Sequence, residues 1–276
     1  MIRPTYGSIS REGIAQWCVS LDTCGFLCRS VVDLEILSDV FNIQDDESLP
    51  KEAFKLEGAK IGFCNSQNWS KAGPGTVNAM DKARYILREH GANVEDVELP
   101  DDFNKVLDWH NTVCKAEGRS SFLGHYLVDK SKLDDTIVGY VEDRDNTTRK
   151  AQLEAYDNVA RLRPIWDELA SKYDLILTPS IVDEAPVGDL TGDMSFCSTW
   201  TIMHCPALNI PGFAGENGLP IGLTAVTARC RDRHLLHVAK TIGPLFEAEG
   251  GWQRKNASTS IHPGARRRMS TGFRSS

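Results

Sequence analysis

The sequence lacks the apolar runs that a membrane protein or an exported protein requires. Its longest apolar runs, such as residues 175–177, fall far short of the about 20 residues that cross a bilayer. The N-terminus leads straight into polar, turn-rich sequence, without the apolar stretch of about 7–15 residues found in an export signal. We therefore expect a cytoplasmic protein without a membrane partner.

Paired cysteines and excess positive charge are also missing. The eight cysteines are scattered and form no C-x-x-C pair, which predicts reduced, mostly buried thiols rather than a disulfide framework or a zinc site. The formal net charge of −7 argues against broad electrostatic binding to nucleic acid. The 276 residues are 41% hydrophobic, which is too apolar for a disordered chain.

The composition divides the chain into a body, residues 1–250, and a basic tail, residues 251–276. From Arg254 onward there are six Lys or Arg residues and no Asp or Glu. This composition predicts disorder. The Arg cluster at 266–268 leaves open a second interpretation, a localisation signal or a patch that binds an anionic surface.

Alternating strand and helix patterns place the body in the α/β class. Residues 60–64 read as a strand, Pro74 opens a helix that Gly91 closes, and residues 94–99 read as a second strand. This βαβ order predicts parallel strands. Further predicted helices cover residues 103–130, 147–172 with a kink at Pro164, and 232–242. Further predicted strands cover residues 174–179, 207–210 and 221–226. Ser30 and Asp33 predict a capping box at an earlier helix.

Standard catalytic motifs are absent from the sequence. It contains no G-x-S-x-G elbow, no phosphate-binding P-loop, no H-E-x-x-H and no complete G-x-G-x-x-G. Residues 73–75, Gly-Pro-Gly, precede a helix and offer backbone N–H groups to an anion. A plain turn is the favoured interpretation, because Pro74 removes one of those donors.

Histidines supply two further alternatives. His234 and His237 lie three residues apart near Asp232, which suggests either a metal grip or two surface histidines; the second is favoured because no further ligand is evident. His204 precedes Cys205, which suggests either a base and a nucleophile or a buried structural thiol. Sequence neighbours rarely have the geometry of a catalytic pair, so the buried thiol is favoured.

Several long stretches resemble the amidase signature family. They are RPTYGSISREG (residues 3–13), SLDTCGFLCRSVVD (20–33), YDLILTPS (173–180), WTIMHCPALNIPG (200–212) and GLPIGL (218–223). They occur in the family's order and extend over about residues 3–246. The departures are small: Phe26 and Cys28 stand where the family usually has Pro and Ala.

The resemblance implies a mixed, largely parallel sheet flanked by helices, with the N-terminal part of the fold missing. It also implies hydrolysis of carboxylic amides to an acid and ammonia or an amine, without a cofactor. The family uses a Ser nucleophile, a bridging Ser and a Lys base. In the family, the Gly/Ser-rich segment and the Lys before it precede the sequence that is matched from residue 3 onward. No such segment occurs in the 276 residues, and Ser8, Ser10 and Ser20 lack its Gly-rich turn and Lys. We therefore expect no catalytic residue here and no activity from this chain alone.

The resemblance also implies residues that border the substrate. Ser198, Trp200, Thr201 and Cys205 are expected on the acyl-binding side, and the turn Asp22-Thr23 is expected under the catalytic loop. Packing is the alternative for each: Trp200 fills a gap in the core, or Asp22 pairs with Arg29.

Two functional hypotheses follow. In the first, the sequence is a fragment or a mis-started version of an amidase. In the second, it is a catalytically silent protein that binds another subunit or a small amide. The weaker third hypothesis is a generic α/β small-molecule binder. If early strands are missing, apolar residues such as Trp17, Phe26 and Leu27 are expected to be partly exposed and to favour self-association.

Overall fold

One mixed sheet organises the chain in the computed structural model, which describes residues 1–188 and 191–253. Within those residues the sheet has six strands: β1 (Ile2–Arg3), β2 (Lys60–Phe63), β3 (Asn93–Asp96), β4 (Leu175–Pro179), β5 (Ala207–Ala214) and β6 (Pro220–Val226). Their order is β1-β5-β6-β4-β2-β3. Strands β4, β2 and β3 pair in parallel, while the pairs β1–β5, β5–β6 and β6–β4 are antiparallel. Strands β2, β3, β4 and β5 thus run in one direction, which confirms the predicted fold class.

Helices cover both faces of this sheet. In the described residues they are α1 (Val31–Val40), α2 (Pro74–Glu89), α3 (Val106–Ser121), α4 (Leu123–Asp129), α5 (Asp135–Val141), α6 (Arg149–Ala170), α7 (Ser195–Ile202) and α8 (Asp232–Glu249). None of these helices combines the length and the hydropathy that a membrane span requires.

The βαβ unit lies where the sequence predicts it. Strands β2 and β3 pair in parallel. Helix α2 connects them and has Pro74 in its first turn. Gly91 follows the helix with φ +85°, a left-handed conformation that favours glycine. The buried face of α2, which includes Met80 and Leu87, packs against the sheet. The buried face of the helix and the residues at its two ends therefore both agree with the sequence prediction.

Boundaries differ from the prediction where packing extends or interrupts an element. The predicted helix 103–130 starts with a 3₁₀ turn and breaks at Phe122, which ends α3 and begins α4. Helix α6 continues through Pro164. Helix α8 runs on to Glu249, and its buried Phe246 contacts Phe213 with ring centroids 4.9 Å apart.

The predicted tail begins beside the sheet. The Trp252 N–H donates to the Gly212 carbonyl at 3.0 Å, so residues 251–252 adjoin β5. The Arg cluster at 266–268 lies outside the described residues, as does all of 254–276. The division into residues 1–250 and a disordered tail stays a prediction.

Two apolar layers hold the sheet in place. On one face, here called the α8 face, α2 and α8 cover side chains such as Leu177 and Leu223. On the other, the α6 face, α3, α6 and α7 cover side chains such as Ile176 and Val226. Burial of each such Leu, Ile or Val contributes roughly 1.5–3 kcal/mol to folding.

Helix α1 leaves an apolar stripe in solvent. The predicted capping box is present, with the Ser30 side chain on the Asp33 N–H and the Asp33 carboxylate on the Ser30 N–H. Leu34 and Ser38 are buried against α8, while Val32, Ile36 and Val40 are exposed on the opposite side. Leu27, in the loop before α1, is also 82% exposed. Of the three residues named for exposure, Trp17 and Phe26 are half-buried.

We predict that this stripe drives self-association and that Ile36→Glu reduces it, because a carboxylate resists transfer out of water. Size-exclusion chromatography with light scattering should give a concentration-dependent mass above 30.6 kDa for the natural chain. The variant should move toward that monomer mass.

Asn78→Glu is the matched control, because it adds the same charge at an exposed position of α2 without removing an apolar side chain. The control should behave like the natural chain. A natural chain that stays monomeric at all concentrations would contradict the prediction.

Candidate functional site

The α6 face of the sheet changes from apolar to polar along its strands. Ile176, Val226 and Ala207 form an apolar row in register across β4, β6 and β5. Two residues further along the same face, Thr178 pairs with Thr224, and Thr224 pairs with Asn209. Side chains alternate between the two faces of a strand, so these three polar side chains form the next row.

Ser180 completes this row just beyond the end of β4. Its Oγ lies 2.7 Å from Thr224 Oγ1 and accepts a hydrogen bond from Asn209 Nδ2 at 2.6 Å. Gly222 provides the space, since a Cβ there would lie 2.6 Å from Asn209 Oδ1. We call Thr178, Ser180, Asn209 and Thr224 the polar platform.

A second polar segment follows β2, the strand beside β4. Gln67 Nε2 donates to Thr199 Oγ1 at 2.9 Å, and Asn68 Nδ2 donates to the Ser195 carbonyl at 2.9 Å. These bonds connect the segment to α7. Buried oxygens without a hydrogen-bond partner in the described residues include Asn65 Oδ1, Gln67 Oε1 and Thr178 Oγ1. Such buried oxygens without a partner are exceptions, because most buried polar groups are hydrogen-bonded.

The topology places these groups together at one edge of the sheet, here called the crevice. Parallel strands β2 and β4 are neighbours, but β2 leads into α2 on the α8 face, whereas β4 leads on to α7 on the α6 face. Ligands of open α/β sheets bind outside the carboxyl ends of the strands at such a switch point. The polar platform and the Asn65–Asn68 segment lie there.

One serine–lysine contact adjoins this crevice. Lys71 Nζ donates to Ser195 Oγ at 2.6 Å and pairs with the Asp193 carboxylate at 3.2 Å. The lysine side chain is 45% exposed, so it is neither desolvated nor free of its counter-ion. In this arrangement Lys71 Nζ is the donor and Ser195 Oγ is the acceptor. No serine–serine–lysine set is hydrogen-bonded together among the described residues.

The first strand fixes the end of α7. The half-buried Arg3 donates from NH2 to the Trp200 carbonyl at 2.6 Å and to the Cys205 carbonyl at 2.8 Å, and from NH1 to Thr201 Oγ1. A cation at a helix C-terminus satisfies carbonyls that have no partner within the helix. Strand β1, α7 and β5 are thereby joined.

The structure places the predicted residues of α7, and Cys205 in the turn after it, in or near the core. Trp200 is buried, with its ring centroid 4.8 Å from that of Trp166 and its Nε1 without a partner in the described residues. Ser198 is buried and donates to the Met194 carbonyl at 2.9 Å, and the half-buried Thr201 donates to the Cys197 carbonyl at 3.0 Å.

The Cys205 thiol is fully buried, which raises its pKa to about 12, and it points to the Trp200 carbonyl. The favoured interpretation of Cys205 as a buried thiol therefore agrees with the geometry. Contact of Ser198, Trp200, Thr201 and Cys205 with a substrate stays a prediction.

Asp22 and Thr23 lie in the loop that precedes α1. The Asp22 carboxylate accepts the N–H groups of Trp17 at 2.7 Å and Cys18 at 3.0 Å, so it shapes the turn before it. Thr23 Oγ1 donates to the Leu21 carbonyl at 3.1 Å. The described residues contain no ion pair between Asp22 and Arg29. A contact of this turn with a catalytic loop stays a prediction.

The side chains considered as metal ligands, and the helix start considered as an anion site, contact other residues of the chain instead. Asp232 accepts the Thr5 N–H at 2.7 Å and the Thr5 hydroxyl at 2.6 Å, His234 Nε2 lies 2.8 Å from the Asp174 carbonyl, and His237 packs edge-on to Phe54. The described residues hold no group of three ligands suited to a metal.

At the start of α2, Asp183 occupies the position that the anion alternative would need. Its carboxylate lies where a Cβ of Gly73 or Gly75 would sit, and it faces the Gly75 N–H at 3.4 Å. The turn is thus shaped around a carboxylate of the chain itself.

Sequence reasoning did not single out the residues of the crevice. They are Asn65, Gln67, Thr178, Ser180, Thr199, Asn209 and Thr224. Two signals were present: Thr178, Ser180 and Asn209 lie inside the matched stretches 173–180 and 200–212, and polar residues follow the predicted strand 60–64. Neither signal marks these residues as a site.

Comparison with known proteins agrees with the fold and the matched stretches. The profile of the Amidase family matches residues 2–236. The A subunit of glutamyl-tRNA(Gln) amidotransferase from Thermotoga maritima is 26% identical over 280 residues, covering 87% of this chain and 58% of the relative. The protein of the same name from Leptospira interrogans is 24% identical over 294 residues, covering 88% and 58%.

Solved structures show the same fold. The crystal structure of an amidase superposes with a TM-score of 0.76 at 22% identity, covering 91% of this chain and 58% of that chain. The structure of 6-aminohexanoate cyclic dimer hydrolase gives a TM-score of 0.71 at 19% identity, covering 91% and 60%. This chain therefore spans about three-fifths of the length of the proteins that it resembles.

His204 connects the N-terminal loop to the end of α7. It has φ +62°, its ring stacks on Tyr6 at 4.0 Å, and Nε2 lies 2.7 Å from the Ser20 carbonyl. Burial first, and then the positive charge of Arg163, lower the pKa of His204 to about 3. The ring is therefore neutral at neutral pH.

We predict that this ring makes the fold acid-sensitive. The folded pKa of about 3 lies below the ordinary 6.5, so its contribution is complete above pH 6.5 and is lost as the pH falls toward 3. After allowance for solvent screening, the loss between pH 7 and pH 4 is about 2–3 kcal/mol in the free energy of unfolding.

Urea unfolding at the two pH values measures this loss. His204→Asn, which tolerates the positive φ, should be less stable at pH 7 but lose less on acidification. His125→Asn, at an exposed position of α4, is the control and should keep the full loss. An equal loss in the natural chain and in His204→Asn would refute the assignment.

Proposed function

This chain belongs to the Amidase family, and on that premise we propose that it forms the substrate-binding side of amide hydrolysis. In this proposal it binds a carboxylic amide at the carboxyl ends of β2 and β4 and does not hydrolyse the amide alone. The observation that carries the proposal is the polar platform, which interrupts an otherwise apolar sheet face at a switch point.

The chemistry of the crevice suits an amide. A primary amide presents two N–H donors and one carbonyl acceptor. The orphaned oxygens of Asn65 and Gln67 are acceptors for those N–H groups, and the carboxamide and hydroxyls of Asn209, Ser180 and Thr224 both donate and accept. A site built from paired polar groups discriminates strongly against ligands that leave them unpaired.

The residues predicted from the sequence have a supporting role in this proposal. Trp200 packs α7 against Trp166 of α6, on the side of the sheet where Thr199 meets Gln67. Ser198 and Thr201 bond carbonyls one turn earlier, and Cys205 is buried in the same cluster. Direct contact of these four residues with the acyl side of the substrate remains part of the proposal, as does the place of Asp22 and Thr23 under a catalytic loop.

Hydrolysis needs more than binding. A serine becomes a nucleophile when a neighbouring base removes its proton, and a lysine acts as that base when burial removes its charge. The 276 residues contain no Gly/Ser-rich catalytic segment, and Lys71 is half-exposed beside Asp193. These observations support a chain that binds an amide without turning it over.

A second candidate function is interaction with other subunits, without catalysis. The exposed stripe of α1 favours it, because an apolar helix face in water gains from being covered. The relatives named above are subunits by their names. A chain that self-associates through Ile36 and binds no amide would favour this function.

We predict that the purified chain binds small amides such as propionamide and benzamide and that Asn209→Ala weakens binding about tenfold, the equivalent of one lost hydrogen bond. Chemical-shift titration measures the affinity. Gly222→Ala should weaken binding similarly, because the added Cβ displaces the Asn209 carboxamide.

Asn158→Ala is the control, because the Asn158 side chain donates to the Glu154 carbonyl within α6 and is not part of the crevice. It should bind like the natural chain. Equal binding by the natural chain and Asn209→Ala, or no saturable binding, would rule out the crevice as the amide site.

We predict no ammonia release above background when the chain is incubated with the same amides, because nucleophile and base are lacking. A coupled ammonia assay measures turnover, with Ser195→Ala and Lys71→Met run in parallel. Robust turnover by the natural chain would show that the chain does carry a nucleophile. Its loss in both variants would assign that role to the Ser195–Lys71 contact.

A further inference from the structure

Two cysteines meet where the N-terminal loop crosses α3. Trp17 Nε1 donates to the Cys114 carbonyl at 3.2 Å, and the Ser20 N–H donates to Glu117 Oε2 at 3.0 Å. Cys18 lies between these two loop residues and is buried in the same apolar cluster that Cys114 packs against. These contacts bring Cys18 beside the Cys114 side chain, so that each thiol shifts the pKa of the other through a hydrogen bond. The proposed function uses neither thiol.

The surroundings shift the pKa values of the two thiols in opposite directions. Cys114 Sγ lies 3.8 Å from both ring nitrogens of His110, one helical turn earlier. The bond from Cys18, and then His110, lower the pKa of Cys114 to about 6 against the opposing effects of burial and Glu117. That bond, burial, and the charges of Glu117 and Asp22 raise the pKa of Cys18.

We propose that Cys114 and Cys18 form a peroxide-sensitive pair, in which Cys114 is the attacking thiolate and Cys18 resolves it to a disulfide. Cys114 is half-buried, so a small peroxide reaches it, whereas Cys18 is buried behind it. Two other buried thiols are poorer nucleophiles, because burial raises the pKa of both Cys64 and Cys205 to about 12. A low-pKa, accessible thiol beside a resolving thiol is the arrangement of redox-sensing cysteines.

The chemistry balances with a hydroperoxide as oxidant. The Cys114 thiolate attacks one peroxide oxygen, the O–O bond breaks, and the leaving oxygen takes a proton to become water or an alcohol. Cys114 is then a sulfenic acid. The Cys18 sulfur attacks the Cys114 sulfur, the S–S bond forms, the S–O bond breaks, and the hydroxide leaves as water with the Cys18 proton. Two electrons pass from the two thiols to the peroxide.

Peptide mapping of the peroxide-treated chain under non-reducing conditions tests the pair. We expect the intact mass to fall by about 2 Da, the two hydrogens of a disulfide. Trypsin should then release residues 12–29 linked to residues 106–115. The link should be lost in Cys18→Ser and in Cys114→Ser. In Cys18→Ser, Cys114 should stop at the sulfenic acid and react with dimedone.

Cys230→Ser is the control, because Cys230 is exposed and lies outside the pair. It should form the link as the natural chain does. Residues 12–29 also contain Cys24 and Cys28, so a link that persists in Cys18→Ser would overturn the pairing. Oxidation of Cys230 with Cys114 left unmodified would overturn it as well.

The pH dependence of alkylation gives a second readout that does not depend on a variant. With a pKa of about 6, the rate of iodoacetamide labelling at Cys114 should rise about tenfold between pH 5 and pH 7 and then level off. A rate that still rises tenfold per pH unit above pH 7 would overturn the assignment of Cys114 as the thiolate.

Discussion

The guanidinium of Arg3 is the interaction on which the described architecture depends. It satisfies the carbonyls of Trp200 and Cys205, on either side of the turn that joins α7 to β5. Without it, each buried carbonyl would lose a charged donor, at a cost of about 1–3 kcal/mol. One side chain from the edge strand thus fixes both the helix that borders the crevice and the strand that carries Asn209.

A buried carboxylate extends this anchor to the last helix. Asp232 accepts two hydrogen bonds from Thr5, whose hydroxyl in turn accepts the Cys230 N–H at 2.9 Å. Burial raises the pKa of Asp232, so the Thr5 bonds offset only part of the cost of burying its charge. Arg3 and Thr5 lie two residues apart, and together they place the start of the chain against α7, β5 and α8.

The sequence predicted elements whose signals are local. The capping box at Ser30 and the βαβ unit around Pro74 depend on neighbours within a few turns, and both are present. The crevice depends on register between β4, β6 and β5, which aligns Thr178, Thr224 and Asn209 although the chain separates them widely. No periodicity encodes such a register, so the polar platform emerges only in the folded chain.

In the polar platform, polar residues stand where packing alone would accept apolar ones. Thr178 is completely buried, and its hydroxyl has no hydrogen-bond partner in the described residues. A valine has nearly the same shape and would continue the apolar row begun by Ile176, so packing gives no reason for the hydroxyl. The hydroxyl instead belongs to the same row as Asn209 and Thr224, so it follows the pattern of the polar platform. Departures from a locally consistent pattern are expected at functional sites, and this departure lies at the switch point between β2 and β4.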